Sequence, residues 1–93
     1  MNYVICRATQ AGVHAGELVS HDEKGVTLRN SRRLWYWKPA DGHAFLSGIA
    51  QHGLAPESKV GEPCDIVLTE VCEIITCSDK AALSIAEILS HKP

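Results

Sequence analysis

The chain has 93 residues, with nine Lys and Arg against eleven Asp and Glu, and 45% of its residues are apolar. This length and composition predict one globular domain over residues 1–93 and exclude a disordered chain. The formal net charge of −2 disfavours a protein that neutralises many phosphates of a long nucleic acid. No apolar run reaches the roughly 20 residues that span a bilayer, and the first nine residues do not read as a signal peptide, so we expect a cytoplasmic protein.

The first half of the chain has the pattern of an antiparallel meander. Strand-forming residues predict strands at 3–8, at 13–20 and from 26 onward, with a polar turn over 21–25. Asn30 and Ser31 indicate a kink or bulge, after which 32–37 continues as a strand that Pro39 ends.

The second half alternates helix and strand signals. Asp41 is a candidate N-cap for a helix at about 42–52, and Gly53 is its C-terminal stop. Residues 54–62 are predicted to form a loop, and 64–77 one or two strands that bend around 69–70. Ser78 is expected to cap a last helix over 79–89. The fold class is therefore α+β: a single small domain with a twisted antiparallel sheet of about four to six strands, a middle helix and a C-terminal helix.

Residues 29–38, Arg-Asn-Ser-Arg-Arg-Leu-Trp-Tyr-Trp-Lys, hold four of the nine cations and three of the five aromatic residues, without an acid. Guanidinium groups bind phosphate oxygens in pairs, and aromatic faces stack on flat rings. We therefore predict that this segment binds an anionic, ring-containing molecule. If it is a strand, side-chain alternation places Arg33, Trp35 and Trp37 on one face and Arg32, Leu34 and Tyr36 on the other. One set is then expected to bind and the other to pack.

A second candidate element is the turn at 12–16, where glycine backbone can approach an anion and His14 adds a donor or a stacking ring. The alternative is a plain turn and strand start with His14 idle. The complete set of predicted ligand-binding residues is Arg32, Arg33, Trp35, Trp37, Arg29, Asn30, His14, Gly12 and Gly16.

A purely structural reading of the aromatic segment also stands. The aromatic side chains can serve a core or a subunit interface, and Arg32 or Arg33 can pair with Glu70 or Glu73 across the sheet. No arrangement of His, Cys or Gly residues indicates a catalytic, metal or phosphate-loop motif, so we expect no enzyme, no metal and no cofactor. Cysteines 64, 72 and 77 lie in or beside a β-branched run, which predicts buried thiols.

Three motifs carry a resemblance to a known family. They are residues 11–16 (Ala-Gly-Val-His-Ala-Gly), residues 30–37 (Asn-Ser-Arg-Arg-Leu-Trp-Tyr-Trp) and residues 68–75 (Leu-Thr-Glu-Val-Cys-Glu-Ile-Ile). With them the chain resembles a family of short, largely uncharacterised phage and prophage proteins, over nearly its whole length. By analogy, phage proteins of this size and kind include anti-defence sponges, which sequester nucleotide-derived signals of host immunity.

Three functional hypotheses follow. The first is a non-catalytic phage-type accessory protein that sequesters an anionic nucleotide-derived small molecule, as a homo-oligomer with the site between subunits. The second is a protein-interaction module that inhibits a host protein through the aromatic residues. The third is single-stranded nucleic-acid binding, which the acidic remainder of the chain disfavours.

Overall fold

A computed structural model describes residues 2–40 and 45–91. These residues form six strands and two helices: β1 (Tyr3–Ala8), β2 (Gly12–Asp22), β3 (Gly25–Tyr36), α1 (Leu46–His52), β4 (Lys59–Val60), β5 (Cys64–Leu68), β6 (Val71–Thr76) and α2 (Asp79–Glu87). All strand pairs are antiparallel. The prediction of a small α+β domain with a mostly antiparallel sheet is confirmed. The short strand β4 lies where the sequence predicted only loop.

The six strands form one curled sheet. Its order is β4-β3-β2-β1-β6, and β5 also pairs with β3. The first part of β3 pairs with β5 and its last residues pair with β4. β5 and β6 lie on opposite edges of the sheet, yet only Thr69 and Glu70 join them. The sheet therefore has to curl until its two edges meet at this turn, where Glu70 has a φ of 56°.

The curl gives the protein two apolar clusters, one on each face of the sheet. The closed-side core lies inside the curl and contains Val4, Cys6, Ala8, Val26, Leu28 and Leu68. The helix-side core lies on the other face and contains Tyr3, Ile5, Val13, Ala15, Leu34, Ile49, Ala50, Leu54, Val60 and Ile85. β1 contributes to both because its side chains alternate between two covered faces.

A bulge at Asn30 changes which face of the sheet the β3 side chains enter. Asn30 has a φ of 52°, and the pairing register with β5 shifts between Leu28 and Ser31. Leu28 therefore faces the closed-side core, whereas Leu34 enters the helix-side core, although strict alternation would place both on one face. The predicted bulge is confirmed. The backbone N–H of Asn30 donates a hydrogen bond to the Asp65 Oδ1 atom at 3.0 Å.

Gly16 is the residue of β2 that accommodates this bulge. A Cβ atom at Gly16 would lie 2.9 Å from the Ser31 Cα and 3.0 Å from the Arg29 carbonyl oxygen. Only glycine allows the two backbones to approach so closely. Gly16 is buried against β3, which does not fit its predicted role as a ligand-binding residue of the 12–16 turn.

Two of the predicted helix signals are found, the stop after α1 and the cap before α2. Gly53 follows α1 with a φ of 92°, and its N–H donates to the Ile49 carbonyl at 2.8 Å. The Ser78 hydroxyl accepts a hydrogen bond from the Ala81 N–H at 3.1 Å at the start of α2. α2 ends at Glu87, two residues before the predicted bound. The predicted start of the middle helix at 42 is wrong, because Phe45 is extended and α1 begins at Leu46. The predicted cap Asp41 and residues 42–44 lie outside the described residues.

The prediction of buried thiols is wrong for two of its three cysteines. Cys64 and Cys72 are exposed, and Cys77 is partly buried. Cys64 and Cys72 lie on β5 and β6, where all residues except Leu68 are exposed or partly buried.

Candidate functional site

Arg32, one of the two predicted phosphate-binding arginines, is an internal residue. Its side chain is 3% exposed, and its guanidinium donates to the backbone carbonyls of Ile85 at 3.0 Å, Ala86 at 3.4 Å and, closely, Ile88. It also donates to the Gly61 carbonyl at 2.9 Å and to the Ser90 hydroxyl at 3.1 Å.

The cause of this arrangement lies at the end of α2. The last carbonyls of a helix have no partner within the helix and carry partial negative charge, which a buried cation satisfies. Burial lowers the pKa of Arg32, and the nearby Tyr3 phenol acts in the opposite direction. Each of the three guanidinium nitrogens of Arg32 donates within the protein, which does not fit the predicted role of Arg32 as a phosphate ligand.

Arg33 lies on the opposite face of β3 and is exposed. It pairs directly across the strands with His14, and a Cβ on Gly12 would lie 3.2 Å from its Nη2 atom. The structure thus brings together Arg33, His14 and Gly12, as predicted from separate motifs. In residues 2–40 and 45–91, no carboxylate forms an ion pair with Arg33. Glu73 forms its ion pair with Arg7 instead, and 3.4 Å separates the Arg7 Nε and Glu73 Oε1 atoms.

His14 is held in one orientation beside Arg33. Its Nε2 atom lies 2.8 Å from the Ala11 carbonyl oxygen. Because a carbonyl only accepts, Nε2 carries the proton in this contact, and Nδ1 is left for another partner.

Trp35 extends this surface toward the end of β3. The indole is 62% exposed and lies on the side of β3 opposite Leu34. The Lys59 ammonium lies 5.4 Å from the indole centroid, and the His91 ring lies 5.3 Å from it at an angle of 49°. We call Gly12, His14, Arg33, Trp35 and Lys59 together the cationic-aromatic surface.

Trp37 does not join this surface. It is partly buried against the helix-side core and lines a cavity of about 560 Å³ with Arg7 and Val13. The prediction that groups Trp37 with Arg33 and Trp35 is therefore wrong. The register between β3 and β4 shifts between Leu34 and Tyr36, and β3 ends at Tyr36, so strict alternation does not extend to position 37.

The remaining predicted residues, Arg29 and Asn30, precede the surface along β3. Both are exposed, and Arg29 pairs across the strands with Glu17. The Asn30 backbone N–H donates to the Asp65 carboxylate at the bulge.

Lys59 and His91 were missed by the sequence reading. Lys59 belongs to β4, whose register places it opposite Tyr36. The His91 N–H donates to the Val60 carbonyl at 2.9 Å, which holds the chain end along this edge of the sheet. A lone Lys in a loop-like segment and a His after a helix carry no signal that points to an aromatic partner 24 or more positions away.

The described part of the chain contains no group of three or more His, Cys, Asp or Glu able to hold a metal ion. Neither helix there has the length and apolar character needed to cross a membrane.

The fold and this surface define a small curled-sheet domain that presents exposed cationic and aromatic side chains on one strand. Residues 1–85 match the family described as Domain of unknown function (DUF6948), and the chain belongs to that family. Neither the curated proteins nor the solved structures contain a match.

Proposed function

We propose that the protein is a non-catalytic binding protein that captures an anionic, ring-containing molecule of nucleotide type on the cationic-aromatic surface. One observation carries this proposal. Arg33 is exposed without an ion pair in the described residues, on the same side of β3 as the exposed Trp35, beside Lys59.

Each part of the surface has a matching ligand group. The Arg33 guanidinium offers paired N–H donors to phosphate oxygens, and the Lys59 ammonium adds a second positive charge. The exposed face of Trp35 offers stacking to a base, an interaction of about 1–3 kcal/mol. Gly12 allows the Arg33 guanidinium to lie against the β2 backbone, because a Cβ at this position would come 3.2 Å from the Arg33 Nη2 atom. The net charge of −2 makes this local positive region a poor match for a long polyanion and a better one for a compact anion.

The biological setting that we propose is the sequestration of a nucleotide-derived signal of host immunity by a phage-encoded protein. The family resemblance of residues 30–37 supports this setting. We also propose that a second copy of the chain completes the site, since Arg33, Trp35 and Lys59 are exposed in the single chain.

Calorimetric titration tests the proposal with cyclic dinucleotides, cyclic ADP-ribose and ADP-ribose. We expect at least one to bind, and Arg33→Ala and Trp35→Ala each to weaken that binding about tenfold or more. Arg29→Ala is the matched control, because it removes an exposed arginine of the same strand that lies outside the surface. If no ligand of the panel gives heat, or if Arg29→Ala weakens binding as much as Arg33→Ala, the proposed function is wrong.

A second candidate function is inhibition of a host protein. Trp35 and Tyr36 are 62% and 50% exposed, and Trp, Tyr and Arg are the residue types that dominate interface energetics. This candidate predicts a stoichiometric protein partner in a pull-down from host lysate, lost on Trp35→Ala. A salt-dependent gel shift with single-stranded oligonucleotides would instead support the third hypothesis.

A further inference from the structure

β6 (Val71–Thr76) forms an open edge of the sheet. It lies at one end of the strand order and pairs only with β1, although the turn at Thr69 and Glu70 joins it directly to β5. In the described residues, no backbone hydrogen bond outside the pairing with β1 involves positions 71–76. One row of β6 backbone N–H and C=O groups therefore has no partner in the described part of the chain.

The pairing with β1 shows which residues form this open row. The Cys77 N–H donates to the Tyr3 carbonyl at 2.9 Å, and from there the register runs unshifted to position 73. Antiparallel strands alternate between residue pairs that exchange hydrogen bonds and pairs that do not. The odd-numbered positions of this stretch therefore bond to β1, and the N–H and C=O groups of Ile74 and Thr76 point away from the sheet.

The other edges of the sheet are protected against pairing with a further strand. The end of the chain covers β4, where the His91 N–H donates to the Val60 carbonyl at 2.9 Å. β5 follows Pro63 and carries Asp65, and prolines and charges of this kind discourage edge pairing. β6 contains no Lys or Pro, and its single acid already forms an ion pair with β1. An edge without these devices is suited to accept another strand.

We infer that β6 pairs antiparallel with β6 of a second copy of the chain, with the two-fold axis at Ile75. The register shift between β1 and β6 lies before position 73, so the regular part of β6 begins there. With this axis, Ile74 of each copy lies opposite Thr76 of the other, and every outward N–H and C=O group of this part has a partner. An axis at position 73 would bring the two Glu73 carboxylates together, and an axis at position 74 would place Thr76 opposite the shifted segment.

The side chains beside this edge also favour a second copy. Ile75 packs against the helix-side core and lines the cavity of about 560 Å³ together with Phe45 and Leu46. Phe45 is 79% exposed. In the pair, the two Ile75 side chains lie directly opposite each other on this face, so each copy covers apolar surface of the other. The contact is separate from the cationic-aromatic surface, because β6 carries none of the residues of that surface.

Sedimentation equilibrium of the full chain between about 1 and 200 µM tests this association, and we expect a monomer–dimer equilibrium. Thr76→Pro removes an outward N–H and none of the bonds to β1, and symmetry removes two hydrogen bonds from each dimer. It should raise the dimer dissociation constant about tenfold or more. Thr76→Val keeps the N–H and is the matched control, which should leave the constant unchanged. A chain that stays monomeric, even if it binds an extended peptide of another protein, or a dimer that Thr76→Pro does not weaken, would overturn the proposal.

A disulfide tests the position of the axis. In Ile75→Cys the two new thiols lie opposite each other, with Cα atoms about 4.5 Å apart, a separation that a disulfide spans. We expect mild oxidation to link this variant into covalent dimers, and peptide mapping to find the link at residue 75. The native Cys72 is the internal control, because it lies about 20 Å from its copy in this register and should not link to it. Absence of the link at residue 75 contradicts the pairing. If Thr76→Pro does not fold, this result decides.

Discussion

Replacing the buried Arg32 by Met tests the role that the structure gives this residue. Methionine keeps a long unbranched side chain but removes every N–H donor, so the carbonyls at the end of α2, the Gly61 carbonyl and the Ser90 hydroxyl lose their partner. Each buried polar group left without a partner costs about 1–3 kcal/mol, while removing the buried charge returns part of the desolvation energy. We expect a loss of about 3–4 kcal/mol in the free energy of unfolding.

This loss is a large fraction of the total. A domain of this length has a free energy of unfolding of about 5–14 kcal/mol, and a loss of about 3 kcal/mol lowers Tm by roughly 12–24 °C. Urea denaturation followed by tryptophan fluorescence measures it, with an unchanged m-value as the check that two-state unfolding is retained. Arg33→Met is the matched control, since Arg33 is exposed and should change stability by no more than about 0.5 kcal/mol.

Arg32→Lys separates charge from geometry. A lysine keeps the positive charge but has one ammonium, which cannot reach carbonyls on both sides of the planar guanidinium. We expect it to be nearly as destabilising as Arg32→Met. If Arg32→Met costs less than about 1 kcal/mol, or no more than Arg33→Met, the hydrogen bonds of Arg32 do not hold α2 to the sheet and the reasoning is refuted.

Three further predictions concern backbone fit, a helix cap and alkaline pH. Gly16→Ala should destabilise the fold by about 2 kcal/mol or more in urea denaturation, because its Cβ would lie 2.9 Å from the Ser31 Cα; an unchanged midpoint would contradict the close approach. Ser78→Ala should cost about 1 kcal/mol in the same assay, and Ser78→Thr, which keeps both the cap and the hydroxyl that donates to the Gln51 carbonyl, should restore most of it. On folding, the pKa values of Tyr3 and Cys77 rise from 10.0 and 9.0 to about 12. As the pH rises, the unfolded state therefore loses these protons before the folded state does. The free energy of unfolding should be constant below about pH 9 and fall between about pH 9 and 12. Denaturation midpoints across that range check this fall, which should be smaller in Cys77→Ala.

Local signals were enough to predict most of the elements. The cap at Ser78, the stop at Gly53 and the bulge at Asn30 each depend on residues close in sequence, and all three are found. β4 was missed because Lys59 and Val60 become a strand only through pairing with β3, and two residues show no periodicity.

The candidate site was predictable in part. Alternation along β3 correctly separated Arg32 and Leu34 from Arg33 and Trp35, but which face is covered depends on where α2 packs, which no local pattern contains. The position of Trp37 was predicted wrongly because side-chain alternation fails where the pairing register between β3 and β4 shifts.

The position of β1 between β2 and β6 has a consequence for how the chain folds. Val4 pairs with Gly16 nearby in sequence, but also with Thr76, so one edge of the central strand stays open until β6 arrives. Such distant pairing slows folding, to milliseconds or longer in domains of this kind, and an open apolar strand edge invites association between chains. We expect the refolding yield to depend on protein concentration, because every chain exposes this edge for as long as β6 remains undocked.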